Sequence, residues 1–147
     1  MKETEIAFFT QEIDLEIKNK DAFSEWVIRT IRKEAKIPGE INFIFCNDNF
    51  LIDINRKYLN HDYYTDIITF DNSDFKNEIS GDIFISYERV IENAKKLSVY
   101  TDKEMSRVVI HGVLHLIGYN DSKIKEIAEM REKEDYYIAQ KSFRIIN

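Results

Sequence analysis

The chain has 147 residues, 44% hydrophobic and 13% aromatic, a composition that excludes a disordered protein and predicts one domain over residues 1–147. It contains no apolar run near the roughly 18 residues of a membrane-spanning helix, no signal segment and only one cysteine, Cys46, so we expect a cytoplasmic protein without a membrane partner. Its formal net charge of -6 disfavours a broad nucleic-acid-binding face, so we expect no DNA partner and, at most, a local RNA-binding patch.

The first half of the chain predicts alternating strands and helices. In order, the pattern indicates strands at 6–9 and 13–17, a helix from an Asp21 N-cap to Pro38-Gly39, a strand at 41–46 and a helix from an Asp48 N-cap. Residues 60–65 interrupt the apolar pattern, which marks the end of this half.

The second half predicts two more strands and three more helices. In order, these are strands at 67–70 and 83–85 and helices that begin at Ser86, at Thr101 and near Ser122. Thr101 and Glu104 form a capping-box pattern, and Gly118 is typical of the residue that follows a helix. Because strands and helices interleave irregularly, we predict an α+β fold in which helices pack on a small mixed β-sheet.

Two histidines and one aspartate have the spacing of a metal site. His111 and His115 are four residues apart on the predicted helix, so both imidazoles project from one face and can bind the same metal. The helix ends at Gly118, and a chain that doubles back there would bring Asp121 to the site as a third ligand. Three ligands leave a coordination position open, as in catalytic metal sites. The alternatives are a histidine pair that only packs or caps, and an Asp121 that caps the final helix.

The residue after the first histidine argues against a metalloprotease. The long metalloprotease signature has a glutamate at that position, which serves as the general base of peptide hydrolysis. The residue here is Gly112, which has no side chain to accept a proton. Peptide hydrolysis is therefore disfavoured.

Residues 111–119, His-Gly-Val-Leu-His-Leu-Ile-Gly-Tyr, closely resemble the H-G-x-L-H-L-x-G-Y-D-H signature of the YbeY family of bacterial rRNA maturation endoribonucleases. Residues 65–70, Thr-Asp-Ile-Ile-Thr-Phe, resemble the family's T-D-V-L-S-F strand. Residues 81–86, Gly-Asp-Ile-Phe-Ile-Ser, are similar to its G-D-I-x-I-S strand. The resemblance spans roughly residues 40–121.

The resemblance implies αβα layers and a zinc-dependent endoribonuclease that cuts single-stranded RNA. It places the protein in 3′-end maturation of small-subunit ribosomal RNA and in ribosome quality control, with ribosomal RNA and the small subunit as partners. A metal-activated water would attack the phosphodiester bond. By position, His111 and His115 correspond to two metal ligands, and Asp121 stands where the family has a third histidine. Oxygen ligation widens the expected metals from one Zn²⁺ per chain to other divalent ions.

The sequence differs from the family at a second position, which would contact the substrate. The family has an arginine in a Y-R-G-K-D segment, and residues 58–62 carry Leu59 at that position. Arg56, one helical turn earlier, is the candidate substitute for a substrate contact, and a solvated surface arginine is the alternative. The sequence identifies no general acid or base. The alternative function is a non-catalytic ribosome-assembly factor, in which a structural metal holds the 110–121 turn.

Overall fold

A computed structural model describes residues 3–147, which form four strands and five helices. In chain order these are β1 (Glu5–Gln11), α1 (Lys20–Lys33), β2 (Ile37–Cys46), α2 (Asp48–Leu59), β3 (Ile67–Asp71), β4 (Glu78–Ser86), α3 (Tyr87–Leu97), α4 (Thr101–Ile117) and α5 (Ile124–Ala139). The sheet has the order β1-β2-β4-β3, in which β1, β2 and β4 are parallel and β3 is antiparallel to β4. The predicted α+β fold with a small mixed sheet is therefore confirmed. The assignment of residues 1–147 to one domain stays a prediction.

Helices cover both faces of the sheet, because successive side chains of a strand point to opposite faces. On β2, Phe43 and Phe45 face the larger core, which α1, α4 and α5 complete. Cys46 faces the other side, where it packs with Leu51 of α2 and Ile68 of β3. This arrangement matches the expected αβα layers.

Several sequence-based predictions on the ends of elements are wrong. Asp21 lies inside α1, whose N-cap is Asn19, and Asp48 is the first residue of α2, whose N-cap is Asn47. Helix α1 ends at Lys33, and Pro38-Gly39 belongs to β2.

Residues 13–17 form no strand, because Glu12 has a positive φ of 62° that ends the extended backbone of β1. Thr101 is the first residue of α4 rather than its N-cap, which is Tyr100, and no side chain caps this helix. The carboxyl of Glu104 is therefore not part of a capping box. The Ser86 cap of α3 is confirmed, since its hydroxyl accepts a hydrogen bond from the Arg89 N–H.

Helix α4 lies close to the sheet at Gly112. A Cβ atom at this position would lie 2.7 Å from Ile67 Cδ1 and 3.1 Å from Ile83 Cγ2, so the missing side chain permits the close approach. The helix ends as predicted at Gly118, whose φ of 128° favours glycine. Within residues 3–147, no helix is both long and apolar enough to cross a membrane.

Candidate metal centre

The three predicted metal ligands line one cavity at the C-terminal half of α4. This large cavity, of about 610 Å³, includes His111, His115 and Asp121 in its wall. The Nε2 atom of His111 lies 3.3 Å from Oδ2 of Asp121, so the turn after Gly118 brings the aspartate to the first histidine as predicted. His115 lies on the same face of α4, one helical turn further on.

The donor set fits a divalent metal in its chemistry, although the three donors are not gathered around a common centre. Two imidazole nitrogens and one carboxylate oxygen are a typical ligand set for zinc, and they also suit other first-row metals. Among residues 3–147, no three His, Cys, Asp or Glu side chains are already arranged to hold a metal ion. The structure thus brings His111 and Asp121 into contact. His115 lies in the same cavity wall but is not close enough to complete a three-ligand cluster.

A buried carboxylate that the sequence analysis missed orients His111. Oε2 of Glu134, on α5, lies 2.7 Å from Nδ1 of His111, and the glutamate is only 4% exposed. Nη1 of Arg107 donates to the other carboxylate oxygen over 2.9 Å. A histidine whose Nδ1–H is held by a carboxylate presents its Nε2 to a metal, which is the usual pattern around metal-binding histidines. Here Nε2 is the atom that faces Asp121.

The charges of this pair shift both pKa values. Burial by itself lowers the pKa of His111, but the hydrogen bond and the negative charge of Glu134 outweigh burial and raise it. Burial by itself raises the pKa of Glu134, but the hydrogen bonds from His111 and Arg107 outweigh burial and lower it. Both shifts favour the charged forms, so the pair is a strong electrostatic contact next to the site.

A smaller cavity of about 270 Å³ adjoins the large one. Asp66, Ile67, His111 and Asp121 line both cavities, so the two meet at the candidate metal centre. Asp66 precedes β3, within the segment that resembles the family's T-D-V-L-S-F strand. Burial raises its pKa, and the neighbouring His111 opposes this shift only in part. Asp66 is thus a second acidic group that sequence analysis did not assign.

The candidate substrate contact Arg56 lies elsewhere. Its Nε donates to Asp62 over 2.5 Å, and its Nη1 lies 3.5 Å from Asp53. Among the described residues Arg56 does not belong to the wall of either cavity, whereas Leu59, at the family's arginine position, lines the large one. The guanidinium is therefore already paired with two carboxylates, and its role in substrate binding stays a prediction.

Two aromatic side chains also line the large cavity. The rings of His61 and Tyr63 are stacked with their centroids 5.2 Å apart, and the Tyr63 hydroxyl lies 3.0 Å from Nδ1 of His61. Stacked, accessible rings of this kind suit the flat faces of nucleobases.

Comparisons with known proteins agree on one family. A family model described as Endoribonuclease YbeY matches residues 5–142. The chain is similar to the Endoribonuclease YbeY of Flavobacterium psychrophilum, with 51% identity over 86% of this chain and 90% of that protein. It is also similar to the Endoribonuclease YbeY of Cytophaga hutchinsonii, with 44% identity over 97% of this chain and all of that protein. A solution structure of a Thermotoga maritima protein is similar in fold, with a TM-score of 0.63 and 27% identity over 92% of this chain and 88% of that one.

Proposed function

Because this chain belongs to the Endoribonuclease YbeY family, we propose that it is an endoribonuclease, a hydrolase that cuts RNA phosphodiester bonds internally. Its proposed substrate is single-stranded ribosomal RNA of the small subunit, and its proposed roles are 3′-end maturation and ribosome quality control in the cytoplasm. The family assignment supports the reaction class. The RNA, the compartment and the metal are part of the proposal.

The observation that carries the proposal is the contact between His111 and Asp121 in the wall of a cavity that His115 also lines. These three side chains would hold one zinc ion or another divalent metal. When bound, such an ion lowers the pKa of a water molecule and polarises a phosphate oxygen, which are the two requirements of phosphodiester hydrolysis. The carboxylate of Asp121 cancels one unit of the metal charge, so we expect the bound water to be less acidic than with three neutral ligands.

The chain's own residues have separate tasks in this proposal. Glu134 fixes the ring of His111, so that Nε2 stays directed toward Asp121. The stacked rings of His61 and Tyr63 offer a surface on which a base of the RNA can lie. Because the chain has a formal net charge of -6, these local contacts, rather than a basic face, have to hold the RNA.

The test is cleavage of an unstructured RNA oligonucleotide by the zinc-loaded protein and by His115→Ala. The variant should lose at least about a hundredfold in rate, since it lacks one of the proposed ligands. Asp135→Asn is the matched control, because Asp135 bonds the same Arg107 as Glu134 but is largely exposed. It should cut RNA at the wild-type rate.

A wild type that does not cut RNA with zinc or manganese would contradict the endoribonuclease proposal. If His115→Ala then also unfolded the protein, the non-catalytic assembly factor with a structural metal would be the better account. Circular dichroism of both variants distinguishes these outcomes.

A further inference from the structure

Glu104 is a buried carboxylate without a partner. It lies in the first turn of α4 and is only 5% exposed. Within residues 3–147 its side chain forms neither a hydrogen bond nor an ion pair, and it lines the smaller cavity. The two nearby cations contact other carboxylates instead, since Arg107 bonds Glu134 and Asp135, and Arg131 lies 3.6 Å from Glu134.

A carboxylate at this depth destabilises the fold, because burial disfavours its charged form and no hydrogen-bond donor among the described residues compensates. Burial raises the pKa of Glu104 and the negative charge of Asp66 raises it further, while the positive charges of Arg107 and Arg131 oppose this shift only in part. A glutamine or an apolar residue would avoid this cost. The Glu104 carboxylate can therefore accept hydrogen bonds from a molecule that enters the cavity.

Three features of the cavity restrict what can enter. Asp66 and Glu104 repel a phosphate group, and the two available arginines are engaged by carboxylates. Of the described metal-ligand side chains in this wall, His111 and Asp121 are assigned to the first metal and Glu134 is held by His111 and Arg107. Only Asp66 and Glu104 are left for a second metal ion, which disfavours one here. The remaining wall is partly apolar, with Ile67, Leu97 and Val108. A flat group with N–H donors along one edge satisfies all three features.

We propose that the smaller cavity binds a guanine base of the RNA, held by Glu104 through the N1–H and the 2-amino group. Guanine alone among the four RNA bases presents two adjacent N–H donors on its Watson–Crick edge, and one carboxylate can accept both. Since His111 and Asp121 line this cavity as well as the large one, the guanine belongs to a nucleotide next to the bond that is cut. The inference rests on the proposed function, to which it adds a base preference.

The test is equilibrium binding of guanosine, inosine and adenosine 5′-monophosphates to the purified chain, followed by NMR titration. All three carry the same phosphate, so a difference in affinity reports the base alone. We expect the guanine nucleotide to bind at least about fivefold more tightly than the other two, as a bidentate base contact typically discriminates. Inosine lacks the 2-amino group and isolates its contribution.

Glu104→Gln should remove this preference, while Glu129→Gln on the exposed face of α5 should retain it. Glu104→Gln should melt at or above the wild-type temperature, because it removes a buried unpaired charge. Equal affinity for all three nucleotides, or a guanine preference that persists in Glu104→Gln, would overturn the inference. So would a second metal equivalent in the wild type that Glu104→Gln loses.

The outcomes for the two proposals are distinct. A guanine preference without any RNA cleavage contradicts the proposed function and leaves the base site in place. RNA cleavage without a guanine preference contradicts the base site and leaves the proposed function in place.

Discussion

At the residue scale, the candidate site depends on how one histidine is held. Glu134 accepts a hydrogen bond from Nδ1 of His111 and is itself fixed by Arg107. With Nδ1 protonated, the free lone pair of the neutral ring is on Nε2, the atom that faces Asp121. The carboxylate thus determines which nitrogen is available to a metal.

We therefore predict that Glu134→Gln weakens zinc binding by about 10- to 100-fold. The glutamine amide can donate to Nδ1 and so favour the tautomer that carries its proton on Nε2. Competition with a chromophoric chelator measures the affinity. Asp135→Asn, which alters the other carboxylate on Arg107, is the control and should bind zinc as the wild type does. An equal loss of zinc affinity in both variants would contradict the specific role of Glu134 in orienting His111.

A second, partly buried cluster holds the turn that carries Asp121. Glu34, just after α1, accepts hydrogen bonds from the hydroxyls of Tyr119 and Tyr137 and from Lys133 of α5. Burial by itself raises the pKa of Glu34, but these three donors outweigh burial and lower it. Tyr119 is two residues before Asp121, so this cluster ties the turn to α1 and α5.

The direction of this pKa shift predicts a pH-dependent stability. Because the folded state binds the Glu34 proton less tightly than the unfolded state, the stabilisation is present above the unfolded value of 4.5 and is lost as the pH falls through the lower folded value. Glu34→Gln should therefore lower the free energy of unfolding by about 2 kcal/mol at pH 7. The difference from the wild type should shrink as the pH falls well below 4.5.

Urea denaturation at several pH values measures this difference. Glu25→Gln, at an exposed position of α1, should unfold like the wild type throughout. A deficit of Glu34→Gln that stayed constant down to pH 3 would contradict the assigned role of its charge.

At the scale of elements, α4 carries both histidines and packs on the sheet through Gly112. In Gly112→Ala the new methyl meets the end of the Ile67 side chain, which can move, and the helix gains from the better propensity of alanine. In Gly81→Ala of β4 the methyl would lie 2.3 Å from the backbone oxygen of Phe70, which cannot move without breaking the β3–β4 pairing.

We predict that Gly112→Ala changes the free energy of unfolding by less than about 1 kcal/mol and that Gly81→Ala lowers it by more than about 2 kcal/mol. Thermal and urea unfolding of the two variants measure these changes. The opposite order would mean that α4 cannot adjust its distance from the sheet.

Apolar runs and terminal glycines in the sequence correctly predicted the strands and the helix end that depend on neighbouring residues. The apolar runs at 41–46, 67–70 and 83–85 lie within observed strands, and Gly118 ends α4 as expected. The strand predicted at 13–17 is absent because a positive φ at Glu12 ends β1. Hydrophobic periodicity does not indicate such a backbone angle. The capping box predicted at Thr101 is absent, because the helix begins one residue earlier than that pattern requires.

The contacts of the candidate site also divide into those that sequence patterns predict and those that depend on tertiary packing. The His111 and Asp121 pair follows from helical spacing and a glycine stop, both of which are local. The contact of His111 with Glu134 joins residues on two helices, so it depends on how α4 packs against α5. Asp66 and Glu104 likewise meet only when β3 lies beside α4. Sequence patterns do not encode such distances.

At the scale of the whole molecule, the candidate centre is assembled from distant parts of the chain. Asp66 precedes β3, the histidines lie on α4, Asp121 on the turn after it and Glu134 on α5. The surrounding charge is acidic, with a formal net charge of -6, so a divalent metal is the most direct source of positive charge for a phosphate at this place. The proposed hydrolysis therefore depends on the metal.

Metal content of the purified protein is the measurement that tests this claim most directly. Mass spectrometry of the wild type, His111→Ala and Asp121→Ala should show close to one zinc per chain in the wild type and almost none in either variant. Zinc that persists in Asp121→Ala would contradict the third ligand. A wild type without metal, purified without any chelator, would contradict the metal centre itself.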